Sequence, residues 1–464
     1  MLFLPHDAAA NALQSVIDLR LLLFALAVSV AAGLLSGFAP ALQAGGGPLS
    51  SSLRERGGTA FRGVRLRKAI VTVQIALTLI LVIGAALFMR TLVGLMAKGP
   101  GFATSNLISF GIDPLRDGYS PSDATRLIRR IHDEIRTSPN TQASALARFQ
   151  LLTGGSWNDP MTIQTNKRIT TDHDVNLNAF SPGFFATIGT RIIAGRDFDE
   201  RDSRPIGESG GPRSAIVNEA FVKRYFGGRS PLGARICEGA GPDAKPNVEI
   251  IGVATDFSYR GLREESEQAY FSIFEGSRSG FDGSPSGGSF YVRIKGTPEA
   301  AFASIRKIVH DADPALPITY LRTVREQVNR SLNTERLLAA LSGSFGALAL
   351  LLSLVGLYGV MSFVVTQRTR EIGIRLAIGA TRASAIWLVL RDALVMIIAG
   401  TVIALPCVWA LGRLVESQLF DVKPTDPSAI AGATLLLTSA ALGAALIPAY
   451  RAATVNPTEA LRFE

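Results

Sequence analysis

The chain is poor in the residues that crosslink proteins or bind metals. Its 464 residues include two cysteines, Cys237 and Cys407, far apart and with no CxxC, and four scattered histidines, His6, His132, His173 and His310. A disulfide scaffold, a zinc cluster and haem attachment are therefore disfavoured. Charge is scarce too: 18% of residues are charged against 47% hydrophobic, which argues against a wholly water-soluble fold. No GxxxxGK[ST] occurs, so this polypeptide supplies no P-loop for hydrolysing ATP. Residues 1–18 lack a basic n-region and a small-residue cleavage site, and so do not read as a signal peptide.

What the chain does have is five apolar stretches long enough to cross a bilayer core of about 30 Å, which takes about 20 helical residues. They are residues 21–42, 69–89, 337–365, 393–412 and 429–449, with Lys68, Arg90, Arg336 and Arg368 at the borders of the second and third. The third is long enough to tilt or to project a turn beyond the lipid. Charged residues are nearly absent inside the five, so an ion or proton path has no support. Trp387 and Trp409 lie about 33 Å apart along a helix, a spacing that suits the two interfaces of the fourth span as well as ordinary packing.

Lysine and arginine set the orientation. Residues 43–68 carry Arg54, Arg56, Arg62, Arg65, Arg67 and Lys68 against Glu55, a net of +5. Residues 366–391 carry Arg368, Arg370, Arg375, Arg382 and Arg391 against Glu371, a net of +4. Together with the neutral tail 450–464 these segments account for the whole formal charge of +9. Both basic loops are therefore cytoplasmic. The excess is a topology signal with no RNP-like or zinc-finger pattern beside it, which removes the nucleic-acid reading.

An internal repeat adds to this. Ala32, Leu34, Pro40, Ala41, Ala44, Leu53 and Arg54 recur, at one constant offset, as Ala440, Leu442, Pro448, Ala449, Ala452, Leu461 and Arg462. The first span thus reads as a copy of the last. The expected order is an extracytoplasmic stub (1–18), the last helix of a preceding unit (19–44), a basic cytoplasmic linker (45–68) and a transmembrane helix (69–96). An external domain (97–335), a helix (336–366), a cytoplasmic loop (367–391) and a helix (392–413) follow. A short external loop (414–428), a final helix (429–450) and a cytoplasmic tail (451–464) complete it.

The external segment has soluble composition. Clusters of Pro, Gly and Asp at 111–122, 202–211, 238–246 and 276–288 separate alternating runs, as turns separate strands. Residues 124–136 read as an amphipathic helix with Leu127, Ile128, Ile131 and Ile135 on one face. Strands are expected at 214–218, 248–255 and 289–294, and helices at 219–226 and 298–310. The fold class is thus a membrane protein, an α-helical bundle of five spans with a large α+β extracytoplasmic domain of two subdomains.

No catalytic set converges in that domain. Gly207-Glu208-Ser209-Gly210-Gly211 matches GxSxG formally, but it lies in a polar, Pro-flanked loop rather than between a strand and a helix. His173 sits between Asp172 and Asp174, without a second ligand at helical or hairpin spacing, and reads better as a solvated loop histidine than as a metal or acid/base centre.

Residues 368–382, Arg-Thr-Arg-Glu-Ile-Gly-Ile-Arg-Leu-Ala-Ile-Gly-Ala-Thr-Arg, resemble the cytoplasmic signature of FtsX/MacB-type permeases of ABC transporters. The ending from Pro448 to Arg462 is similar to that family's C-terminus. Ser181-Pro182-Gly183-Phe184-Phe185, Gly195-Arg196-Asp197-Phe198, Val217-Asn218-Glu219-Ala220 and Ile251-Gly252-Val253 resemble the MacB-like periplasmic core domain. The duplication points to the C-terminal part of a duplicated, acidobacterial-type permease, with an FtsX-like core over 364–456.

The resemblance implies a multi-pass protein of the bacterial inner membrane with its large domain in the periplasm, and no catalytic, cofactor or metal site of its own. It implies an ATPase-coupling loop formed by Arg370, Glu371, Ile372, Gly373, Ile374, Arg375, Ala377, Gly379 and Ala380. Here Glu371 and Arg375 can pair one turn apart, the isoleucines offer apolar contact, and the glycines permit close approach. The implied partners are a MacB/LolD-like ATPase that uses the ATP, a first permease half or second permease chain, a periplasmic adaptor, and membrane lipids. Two rival classes stay open: an FtsX-like regulator of a periplasmic or cell-wall enzyme, and a membrane-anchored enzyme. Gly343, Gly346, Gly356 and Gly359 of the third span suit tight helix packing more than a pathway.

Overall fold

The computed structural model describes residues 58–154, 157–164, 168–171, 173–203, 213–239, 246–263, 266–272, 288–415 and 418–454, with isolated helical positions between 19 and 30. The first expected span, 21–42, and the GxSxG stretch lie essentially outside the described residues. The chain divides into a unit formed by residues up to Gly94 and from Thr334, and a second unit, Leu95–Asn333.

Among the described residues of the first unit, four helices are long and apolar enough to cross a membrane. They are α1 (Gly58–Lys98), α7 (Asn333–Ala377), α8 (Arg382–Val415) and α9 (Pro427–Ala453). Each outruns its apolar stretch, because polar and amphipathic turns continue the helix beyond it. With 45 residues, α7 is about 67 Å long, more than twice the hydrocarbon thickness. Small residues set the packing: α9 buries Ala429, Ala433, Ala441, Ala445 and Ala449, and α8 buries Ala385, Ala393, Gly400 and Ala404, so backbones approach closely. A Cβ on Gly400 would lie 2.7 Å from Ile75 Cγ2. Of the four glycines of the third span, Gly346 and Gly356 meet α1, whereas Gly343 and Gly359 have no such neighbour within 4 Å among the described residues.

The expected cytoplasmic loop 367–391 is not a loop. Helix α7 runs on through Ala377 and α8 begins at Arg382, leaving a turn of four residues. Gly379 ends α7 at φ +101°, and Ala380 N–H donates to the Arg375 carbonyl at 2.9 Å, the bond pattern of a Schellman C-cap. Thr381 then caps α8 by accepting from Ser384 N–H. The charge density and glycines that suggest a loop are compatible with helix, since Gly373 costs only about 1 kcal/mol inside one.

Among the described residues of the second unit, thirteen strands hydrogen-bond into one sheet. Four of them, β1 (Leu107–Ile112), β2 (Thr141–Ala147), β12 (Gly288–Ile294) and β13 (Tyr320–Thr323), form one end in the order β13-β1-β12-β2. It is covered by α2 (Pro121–Thr137) and α5 (Pro298–Ala312). The other end runs β6-β11-β8-β10-β9-β4-β5. These strands are β4 (Met161–Gln164), β5 (Arg168–Thr170), β6 (Val175–Phe180), β8 (Arg213–Asn218), β9 (Arg235–Glu238), β10 (Val248–Ala254) and β11 (Gln268–Ser272). Strand β3 (Trp157–Asp159) adds to β6 and β7 (Ile192–Gly195) to β10. Shorter helices α3 (Phe184–Ile188), α4 (Glu219–Phe226) and α6 (Val324–Ser331) complete the domain. Two pairs, β8–β10 and β6–β11, are parallel. The two ends share one backbone register pair, Ala147↔Phe180.

Local chemistry explains the helices of this domain. Ser120 caps α2 with Pro121 at its start, and Ile128, Ile131 and Ile135 are buried along one face. Asn218 caps α4, and Gly227 ends it in the left-handed region.

Candidate functional site

The turn between α7 and α8 gathers most of the residues expected to couple. Glu371 and Arg375 pair across one helical turn, both about half exposed. Ile374 is 39% exposed and Ile378, at the tip, 81%; Ala377, Gly379 and Ala380 are exposed as well. Ile372 and Gly373 face the other way. Ile372 is 2% exposed and joins Leu357, Met361, Val364 and Val365 in the bundle core, because helical spacing from Val365 returns it to the inner side. It offers a partner nothing to touch. The side chain of Arg370 lies outside the described residues.

Beneath this turn the helices are tied by charge. Asp392, at the start of the fourth apolar stretch, receives Lys68 Nζ from α1 at 2.7 Å and Arg368 Nη1 from α7 at 3.5 Å. One carboxylate thus joins three helices. Arg67 lies 4.2 Å over the Phe363 ring, and Arg451 of α9 reaches the Tyr358 hydroxyl of α7 at 3.3 Å. Sequence reasoning missed Asp392; the available signal was an acidic residue at a span border, which needs a cationic partner.

In the second unit, His173 Nε2 lies 2.9 Å from Glu267 Oε2, and Arg224 shares the same carboxylate at 3.4 Å. Asp172 is outside the described residues. Among the described residues no group of three or more His, Cys, Asp or Glu is placed to hold a metal ion. The Gly-Arg-Asp-Phe motif is a staple: Arg196 grips Asp202 with two bonds of 2.6 and 2.9 Å, and Ser214 donates to the same carboxylate at 2.5 Å. Burial pushes the neighbouring Asp197 carboxyl up to about 6.

That raised value has a testable sign. Between the ordinary carboxyl range and about pH 6 the folded state holds a proton that the unfolded state releases, so the group's penalty grows as pH rises and is full above about pH 6. Asp197→Asn removes it. Since the side chain is partly exposed, the gain is about 1 kcal/mol at pH 7.5, and it vanishes near pH 4. Thermal unfolding of the full chain at both pH values measures it; equal effects at the two would reject the assignment.

Residues 70–308 match the family model described as MacB-like periplasmic core domain, and residues 343–457 match the FtsX-like permease C-terminal model. The chain belongs to the MacB/FtsX-type permease family. Its members include the "uncharacterized ABC transporter permease YknZ" of Bacillus subtilis, 25% identical over 292 residues, covering 63% of this chain and 70% of YknZ. The macrolide export ATP-binding/permease protein MacB of Psychrobacter arcticus is 23% identical over 398 residues, covering 83% of this chain and 57% of that protein. The MacB of Neisseria gonorrhoeae is 25% identical over 298 residues, covering 63% and 44%. The chain therefore spans about half the length of the macrolide exporters it matches. Among solved structures, the periplasmic region of MacB from Actinobacillus actinomycetemcomitans aligns with 49% of this chain and 94% of its own, at 16% identity and a TM-score of 0.32. In this MacB/FtsX-type permease the matched FtsX region contains α8, α9, most of α7 and the exposed turn.

Proposed function

We propose that the chain is the permease component of a MacB-like ABC transporter, converting ATP hydrolysis by a partner ATPase into motion of its periplasmic domain and export or extraction of a substrate. The observation that carries this reading is the α7–α8 turn. It presents an apolar tip and a charged pair on helices held together by Asp392. A push on such a turn reaches α7, which α6 precedes by one residue. Coupling requires two states of the permease with different affinity for the ATPase, because a ligand shifts an equilibrium only by differential binding.

In this reading the docking surface is Glu371, Ile374, Arg375, Ala377, Ile378, Gly379 and Ala380. The protein lies in the bacterial inner membrane, with residues 21–42 as a further span, and works beside a second permease unit and a periplasmic adaptor. The periplasmic domain is read as two subdomains that meet at β2 and β6, where Ala147 pairs with Phe180. The test is purified full chain with its ATPase, assayed for stimulated hydrolysis and for movement of labelled phospholipid or peptide. Stimulation with no movement, together with activation of a cell-wall hydrolase, would replace transport by an FtsX-like regulatory role.

Topology is checked separately. A reporter fused after Thr59 or Ala380 is expected to read as cytoplasmic and one near Gly210 as periplasmic. The reverse pattern would overturn the orientation drawn from loop charge.

A further inference from the structure

The segment that leaves α1, Gly99-Pro100-Gly101-Phe102-Ala103-Thr104-Ser105-Asn106, has the composition of a flexible linker. It is nevertheless bonded repeatedly to the domain that follows. The Pro100 carbonyl accepts from Ser258 N–H, just beyond β10, at 2.9 Å. Ala103 N–H donates to the Ile188 carbonyl of α3 at 2.9 Å, and the Asn106 carbonyl accepts from Ile294 N–H of β12 at 2.9 Å. Phe102 is buried, with its ring edge-on to Phe257 at 6.2 Å. Gly101 lets the backbones approach: its φ is +80°, and a Cβ there would lie 2.9 Å from the Asp256 carbonyl oxygen. The strap thus meets in turn the β10 end of the sheet, α3 and the β12 end. Helix α3 itself lies where those ends join, since Phe184 stacks on Phe180 of β6 and packs edge-on against Tyr291 of β12.

One side chain holds the middle of the strap. Arg293 of β12 donates from Nε to the Thr187 carbonyl of α3 at 2.8 Å, from Nη1 to the Ser105 carbonyl at 2.9 Å and from Nη2 to the Ala103 carbonyl at 3.2 Å. Among the described residues it has no carboxylate partner. Burial lowers its pKa from the ordinary arginine range, so the charge sits there at a desolvation cost that the three carbonyls offset. A planar guanidinium fork can serve two chain segments at once, whereas a lysine presents its donors from a single point.

We propose that Arg293 is a positioning residue that turns Gly99–Asn106 into a rigid joint, so that the last turn of α1, α3 and β12 move as one body. A displacement of α1 then reaches the sheet directly, where a free glycine linker would absorb it. The joint belongs to the chain at rest and is the same whether the chain transports or regulates.

The test uses the full chain in nanodiscs of phosphatidylethanolamine and phosphatidylglycerol. Nitroxides at Met96→Cys and Ala186→Cys, both exposed positions, report the distance between α1 and α3 by double electron–electron resonance. Cys407→Ser removes the exposed native thiol, and Cys237 is buried. A narrow distribution is expected, and Arg293→Met should broaden it. A second pair, Ser122→Cys with Lys307→Cys on the exposed sides of α2 and α5, should stay narrow. In hydrogen exchange, Arg293→Met should speed the amides of Ala103 and Ser258 about tenfold or more, with β1 and β2 still protected. Arg293→Lys keeps the charge but loses the fork, and should resemble Arg293→Met rather than wild type. The proposal is overturned if Arg293→Met leaves the α1–α3 width unchanged, even with faster exchange, or if Arg293→Lys matches wild type. It is equally overturned if protection is lost evenly across the strap, β1 and β2, since Arg293 would then serve the fold of the whole domain.

Discussion

Replacing Glu371 and Arg375 together by alanine will leave the chain inserted and lower its affinity for the partner ATPase tenfold or more. Neither residue lies in an apolar stretch, and the segment keeps its positive excess through Arg368, Arg370, Arg382 and Arg391, so orientation is preserved. The pair is exposed on both sides, and such an i,i+4 pair stabilises its helix by only about 0.3–0.5 kcal/mol. A large loss of binding would therefore report a missing contact rather than a melted helix. Ile378→Asp should act more strongly, because it places a charge at the most exposed apolar position of the turn, where an interface hot spot is worth about 2–4 kcal/mol. Gly379→Leu should weaken docking through two effects: its φ of +101° strains any side chain, and the added bulk blocks close approach. Ser209→Ala is the control and should change nothing. Co-purification and ATPase stimulation measure all four. If the turn variants bind normally while the Ser209 variant is inactive, the external domain is an enzyme and the permease reading is wrong.

Legibility followed the strength of each physical signal. Apolar runs with charged borders located four helices, and the alternation in β10 and β12 located those strands to within a residue or so. Helix α4 was readable in full because Asn218 and Gly227 mark its ends with cap chemistry. Where the signal is tertiary, the sequence was silent. Nothing local says that Asp392 bridges Lys68 and Arg368, or that β6 pairs in parallel with β11 across a long stretch of chain. The turn was misjudged because charge and glycine mark loops statistically, whereas here Gly379 alone stops the helix and Gly373 sits within it. Ile372 was assigned to the exposed face with its neighbours, although helical spacing already separated it from Ile374 and Ile378. The polar punctuation of residues 97–335 suggests two subdomains. The sheet nevertheless stays continuous, since one register pair and the packing of Phe180 on Phe184 and Tyr270 join its two ends.

The most damaging single substitution in the periplasmic domain should be Gly195→Ala. Gly195 closes β7 opposite Gly252 of β10, and its φ is +74°, where an L side chain costs about 1–2 kcal/mol. Sterics add more: a Cβ there would lie 2.1 Å from the Ile251 carbonyl oxygen and 2.9 Å from Gly252 Cα. These are backbone atoms, and that carbonyl is held by the Arg196 N–H at 3.1 Å, so no rotamer change relieves the overlap. Overpacking of this kind costs about 1–3 kcal/mol, which brings the total to about 2–5 kcal/mol. At about 2–4 °C per kcal/mol for a domain of this size, the periplasmic domain should melt about 10 °C earlier and become sensitive to protease. Two controls divide the causes. Gly233→Ala has the same positive φ in open space and should cost only the conformational part. Gly296→Ala, with neither a positive φ nor a neighbour, should be close to neutral. ATPase association, proposed to rest on the exposed α7–α8 turn, should survive the Gly195 change. If Gly195→Ala melts within a degree or two of wild type, the two strands do not approach as closely as the Gly195–Gly252 register requires, and the Gly-Arg-Asp-Phe motif owes its glycine to something other than backbone contact.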